Sequence, residues 1–169
     1  MIEKKEGLSE LIQRGGIYKD IKGGNSREVL TALTEALPPI FSIPPEMILD
    51  AVMEREALMS TGIGRGIALP HPRNPLVQSE REQFTALAFL EEPVDWYSLD
   101  GQRVDTLFLI ISASAKQHLR TLSEITFFCR QDVFYQILRE RSSQEDLLGF
   151  IRDAEKNWKR HQPDIRLPR

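Results

Sequence analysis

Apolar positions along this chain alternate between helical spacing and short continuous runs. Leu8–Gln13 reads as a short helix closed by Gly15-Gly16. Ile17–Ile21 alternates around Tyr18 and reads as a strand, and Gly23-Gly24 as a turn. Asn25 then stands as an N-cap with Glu28 at the capping-box position, ahead of Val29, Leu30, Leu33 and Leu37 at helical spacing. Pro38-Pro39 ends that helix, and Pro44-Pro45 opens the next, since proline is tolerated in a first turn. Its apolar face is Ile48, Leu49, Val52 and Met53, with Arg55 and Glu56 near its end.

Gly62, Gly64 and Gly66 read as a flexible stretch leading into Ile67-Ala68-Leu69, a short strand stopped by Pro70-His71-Pro72. Phe84–Leu90 and Val104–Ser112 are apolar and rich in strand formers, and read as central strands buried on both faces. Asp100-Gly101 is a turn just before the second of them. Ala115–Arg130 returns to helical spacing, with Leu119, Leu122, Ile125 and Cys129 on one face, and Val133–Leu138 and Gln144–Ala154 are further helices. The interleaving predicts an α/β fold, one domain with a mixed sheet covered by helices. Residues 1–155 make up that domain. The tail, 156–169, carries two prolines and six charges and reads as a loosely held extension.

Composition narrows the function classes. The chain has 169 residues, 41% apolar and 28% charged, with a net charge of −3 and no basic run longer than two, so a nucleic-acid partner is not expected. Cys129 is the only cysteine, which excludes an internal disulfide, argues against a cysteine metal site and suggests a small buried apolar group. The first residues lack an apolar h-region, and runs such as Leu107–Ile111 are far too short to cross a bilayer, so a cytoplasmic protein without membrane insertion is expected.

The chemistry converges on histidine. Of His71, His118 and His161, the last lies in the polar tail and reads as solvated. His71 sits at a strand end, stiffened by proline on both sides and preceded by a glycine-rich stretch that lets another molecule come close. A neutral imidazole is nucleophilic near neutral pH, and a phosphohistidine stays reactive enough to pass its group on. Such transfer depends on positioning and on cations facing the phosphoryl oxygens. A turn histidine with a structural hydrogen bond is the bland alternative.

The run Arg55-Glu56-Ala57-Leu58-Met59-Ser60-Thr61-Gly62-Ile63-Gly64, with Gly66-Ile67-Ala68-Leu69-Pro70-His71, resembles the active-site segment of the fructose/mannitol-type (type 2) enzyme IIA domains of the bacterial phosphotransferase system. It looks most like the stand-alone nitrogen-regulatory branch. Lys116-Gln117-His118-Leu119 resembles that family's second histidine segment, and the resemblance runs from about Leu8 to Ala154. It implies a mixed five-stranded sheet flanked by helices on both faces. It implies His71 as the phosphorylated nucleophile, acting through Nε2, with Arg55 facing the phosphoryl group 71 − 55 = 16 residues upstream. A guanidinium can grip two phosphoryl oxygens and keeps its charge. It implies His118, 118 − 71 = 47 residues on, as the neighbouring ring. Ser60 and Thr61 either bind the phosphoryl group or shape the turn.

One departure stands out. The family usually has a small residue after the active histidine; here Pro72 offers no backbone N–H, and Arg73 is a candidate to compensate. The implied activity is protein-to-protein phosphoryl transfer within the phosphotransferase system, by a phosphorylation-dependent regulator that needs no cofactor and no metal. An HPr-like carrier would act upstream, and a regulatory target or an enzyme IIB downstream. The competing readings are a sugar-specific enzyme IIA subunit of a fructose/mannitol-type transporter, a binding module that has lost the transfer chemistry, and, weakly, a metal enzyme using His71 and His118. Docking of a protein donor calls for an apolar collar near His71, for which Ile63, Ile67, Leu76 and Phe84 lie near in sequence.

Overall fold

The two apolar runs become the central pair of a five-stranded sheet. In the computed structural model, which describes residues 6–39 and 42–161, the strands are β1 (Ile17–Ile21), β2 (Gly62–Gly64), β3 (Ile67–Ala68), β4 (Phe84–Val94) and β5 (Val104–Ile111). The helices are α1 (Leu8–Gly15), α2 (Ser26–Ala36), α3 (Pro45–Leu58), α4 (Ala115–Cys129), α5 (Asp132–Arg139) and α6 (Gln144–His161). Strand order is β1-β4-β5-β3-β2. β1 runs parallel to β4 and β3 parallel to β5, whereas β4–β5 and β3–β2 are antiparallel, so the sheet is mixed.

The period of two along the central strands explains why both alternating sets of positions are mostly apolar. Ala86, Ala88 and Leu90 of β4 and Leu107, Leu109 and Ile111 of β5 pack with Val29, Leu30, Leu33, Ile48 and Val52 of α2 and α3. The alternate residues Leu87, Phe89, Phe108 and Ile110 pack with α1, α4, α5 and α6. Helices therefore cover both faces of the sheet along Phe84–Leu90 and its β5 partners, while Glu91, Glu92 and Pro93 at the end of β4 are exposed.

Several expectations need correction. The glycine stretch is not merely flexible: Gly62–Gly64 pairs with β3 as a tight hairpin. Arg65 and Gly66 at its tip have φ of 57° and 80°, the left-handed region a tight hairpin turn requires. β4 continues past Leu90 to Val94, its pairing with β5 irregular after Phe89, where Pro93 can donate no ladder bond. Leu119 does not lie on the buried face of α4 and is 64% exposed; Thr121, Glu124, Ile125, Phe128 and Cys129 form that face. Finally, α6 runs to His161, well beyond Ala154 and through the start of the expected tail. Trp158 anchors the extra turns on the core and meets the Phe127 ring at 4.7 Å. Residues 162–169 lie outside the described residues.

Candidate active site

Topology brings the two histidine segments together. β3 and β5 are parallel, so their C-terminal ends open on the same edge of the sheet, where ligand sites of α/β folds commonly lie. His71 leaves the end of β3; His118 stands in the first turn of α4, directly after β5. Pro70 holds the first segment against the second, its carbonyl accepting from the Ile110 N–H at 3.0 Å. Ser114 caps α4, its hydroxyl accepting from the Gln117 N–H at 3.1 Å. Forty-seven residues apart in the chain (118 − 71), the two rings lie with centroids 4.6 Å apart and planes at 50°.

The tautomer of His71 follows from its partner. Nδ1 lies 2.7 Å from the Leu69 carbonyl oxygen. A carbonyl can only accept, so Nδ1 carries the proton and Nε2 keeps its lone pair. Partial burial, opposed by that hydrogen bond and reinforced by the Arg55 charge, lowers the His71 pKa. Burial first, and then the charges of His71 and Arg55, push His118 down to about 4. Both rings are therefore neutral at neutral pH, and Arg55 is the cation whose field reaches them.

Arg55 occupies the last turn of α3 and donates from Nη1 to the Met59 carbonyl at 2.8 Å. β2 follows at once, and its antiparallel pairing returns the chain towards the end of β3 through Leu69 N–H to the Thr61 carbonyl, 3.0 Å. The hydroxyls of Ser60 and Thr61 are engaged inside this junction. Ser60 Oγ donates to the Trp96 carbonyl and accepts from the Gly62 N–H. Thr61 Oγ1 donates to Glu56 Oε2 at 2.6 Å and accepts from Trp96 Nε1 at 3.3 Å. These contacts fit the turn-shaping alternative. Gly62 completes the close fit, since a Cβ there would lie 2.0 Å from Ser98 Oγ.

Arg73 is exposed and lines a small pocket of about 120 Å³ with Pro72, Ser112 and His118. Pro72 is buried. Of the four apolar candidates for a docking collar, only Ile63 is exposed; Ile67 and Phe84 are core residues and Leu76 packs against the core. Other exposed apolar side chains are Leu58 and Met59 at the end of α3, and Tyr97 and Leu99 in the loop whose Trp96 carbonyl accepts from Ser60 Oγ. His161 is the last residue of α6.

The chain is similar to known proteins over most of its length. The family model for the "Phosphoenolpyruvate-dependent sugar phosphotransferase system, EIIA 2" matches residues 10–154. A nitrogen regulatory protein of Escherichia coli K12 is 31% identical over 150 residues, spanning 88% of this chain and 91% of its own. A fructose-specific EIIABC component of Bacillus subtilis is 28% identical over 88% of this chain, equivalent to 24% of that longer protein. The crystal structure of nitrogen regulatory protein IIA-Ntr from Neisseria meningitidis superposes with a TM-score of 0.74 at 25% identity, covering 85% of this chain and 98% of that one. Among the described residues, no helix is long and apolar enough to cross a membrane. The chain belongs to the type 2 enzyme IIA family of the phosphoenolpyruvate-dependent sugar phosphotransferase system and is a phosphotransferase component of that system.

Proposed function

We propose that the chain accepts a phosphoryl group on Nε2 of His71 from an HPr-like phosphohistidine carrier and acts as a phosphorylation-dependent regulator. The observation that carries this reading is the Nδ1···Leu69 carbonyl contact, which leaves Nε2 unprotonated at a sheet edge. The Nε2 lone pair attacks phosphorus in line with the donor's P–N bond. That bond breaks, its electron pair returns to the donor's imidazole, and the P–Nε2 bond forms. The His71 ring gains positive character as it does so, and the Leu69 carbonyl, facing Nδ1–H, stabilises it. Arg55 and neutral His118 supply N–H groups for the phosphoryl oxygens, with Arg73 as a further cation at the rim.

The similarity to nitrogen regulatory proteins favours the regulatory role; onward transfer to an enzyme IIB is the alternative outcome. Phosphorus NMR of the protein charged by phosphoenolpyruvate and the two general carrier proteins tests the chemistry. A phosphohistidine signal assigned to Nε2 of His71 supports it, and phosphorus on Nδ1 or on another residue overturns it. Adding a sugar-specific enzyme IIB then separates the two roles: discharge marks a transport subunit, and retention a regulator.

A further inference from the structure

We propose that Glu56 is a positioning residue for His71, acting through Thr61 and Leu69. The inference rests on the phosphotransfer reading above and adds a residue to it. Glu56 precedes β2, and its two carboxylate oxygens bind the Thr61 N–H at 2.9 Å and the Thr61 hydroxyl at 2.6 Å. Thr61 is buried, and the indole N–H of buried Trp96 occupies the remaining side of its hydroxyl. Thr61 is thereby held at backbone and side chain together. Its carbonyl accepts the Leu69 N–H at 3.0 Å, and the Leu69 carbonyl accepts from His71 Nδ1 at 2.7 Å.

One continuous series of hydrogen bonds thus runs from the Glu56 carboxylate to the ring nitrogen opposite the reacting one. Leu69 is its hub, donating to one neighbour and accepting from the other. The Leu69 carbonyl fixes both the tautomer and the direction of Nε2. Its own position depends on Thr61, and that of Thr61 on Glu56. Loss of the carboxylate frees the Thr61 N–H and hydroxyl, loosens the Leu69 carbonyl and lets His71 sample the Nε2–H tautomer, which has no lone pair on Nε2. A small misplacement of a reacting group costs about 10²-fold in rate.

The test compares Glu56→Ala, Thr61→Val and Thr61→Ser with wild type in two readouts. Nitrogen-15 NMR of the uncharged protein reports the His71 tautomer, and the initial rate of charging by the phosphorylated carrier reports transfer. Wild type and Thr61→Ser, which keeps the hydroxyl, are expected to hold a single Nδ1–H tautomer and charge alike. Glu56→Ala and Thr61→Val are expected to mix tautomers and charge about 10- to 100-fold more slowly, with carrier KM unchanged. Wild-type tautomer in folded Glu56→Ala overturns the proposal, whether charging is slow or fast. If Glu56→Ala does not fold, Thr61→Val decides it by the same two readouts. Failure of wild type to charge overturns the phosphotransfer reading instead, and the tautomer measurement still decides the relay.

Discussion

The imidazoles of His71 and His118 stand 4.6 Å apart, centroid to centroid, and His71 lowers the affinity of His118 for a proton. Burial removes water from the rings, and a charge on His71 or Arg55 disfavours a second cation at His118. Native His118 binds its proton only near pH 4, whereas an unfolded histidine does so near 6.5. The unfolded state therefore takes up the proton first, and the contribution to stability present above about pH 6.5 is lost as pH falls towards 4. His118→Gln is expected to flatten thermal stability across that window, as measured by calorimetry at a series of pH values. An unchanged slope would show that the pair is not the source.

Arg55 is the cation bearing on both rings. Arg55→Gln removes the donor fork and the field together. Charging is expected to slow by about 10²-fold, and the His71 pKa to rise, because the charge that lowers it is gone. Arg55→Lys restores the field without the bidentate grip, so it should rescue the pKa but only part of the rate. Stopped-time charging assays and ring-proton titration by NMR read the two effects separately.

Pro72 follows His71 with no N–H to offer an incoming phosphoryl group. Pro72→Gly supplies that amide and is expected not to reduce the charging rate. A clear loss of labelling in a folded Pro72→Gly protein would mean that the ring's rigidity matters more than the missing donor.

Glu124 on α4 is 2% exposed and faces Arg120 of its own helix, Glu155 of α6 and the first-turn backbone of α1 at Leu8. Burial, with Glu155 adding to it and Arg120 opposing, pushes its pKa up to about 7. Stability from this site is present below the usual carboxylate range and is lost as pH rises through 7. Glu124→Gln is expected to stabilise the protein at pH 8 by roughly 1–3 kcal/mol and to leave pH 5 nearly unchanged. Denaturant unfolding at the two pH values checks this.

What could be read in advance was local in the chain. Asn25 caps α2, its Oδ1 accepting from the Glu28 N–H at 2.9 Å while Glu28 reaches back to Gly24, because capping needs only residues three or four apart. The central strands betrayed themselves by having no polar face. β2 left no such trace, since Gly-Ile-Gly has too few side chains to show a period and becomes a strand only through pairing. Leu119 looked like core by spacing, yet the partners of α4 dictate a face centred on Ile125 and Phe128. The last turns of α6 depend on Trp158 meeting Phe127, a contact between distant segments. His71, His118 and Arg55 were legible through the motif that carries them. The Glu56–Thr61–Trp96 cluster was not, because 35 residues separate Trp96 from the threonine it binds.

The most direct measurement is the intact mass of the protein after incubation with phosphoenolpyruvate and the two general carrier proteins, for wild type and His71→Ala. Wild type is expected to gain one acid-labile phosphoryl group and His71→Ala none. A wild-type protein that gains nothing while the carrier is demonstrably charged, or a variant that gains as much as wild type, would contradict phosphoryl acceptance at His71.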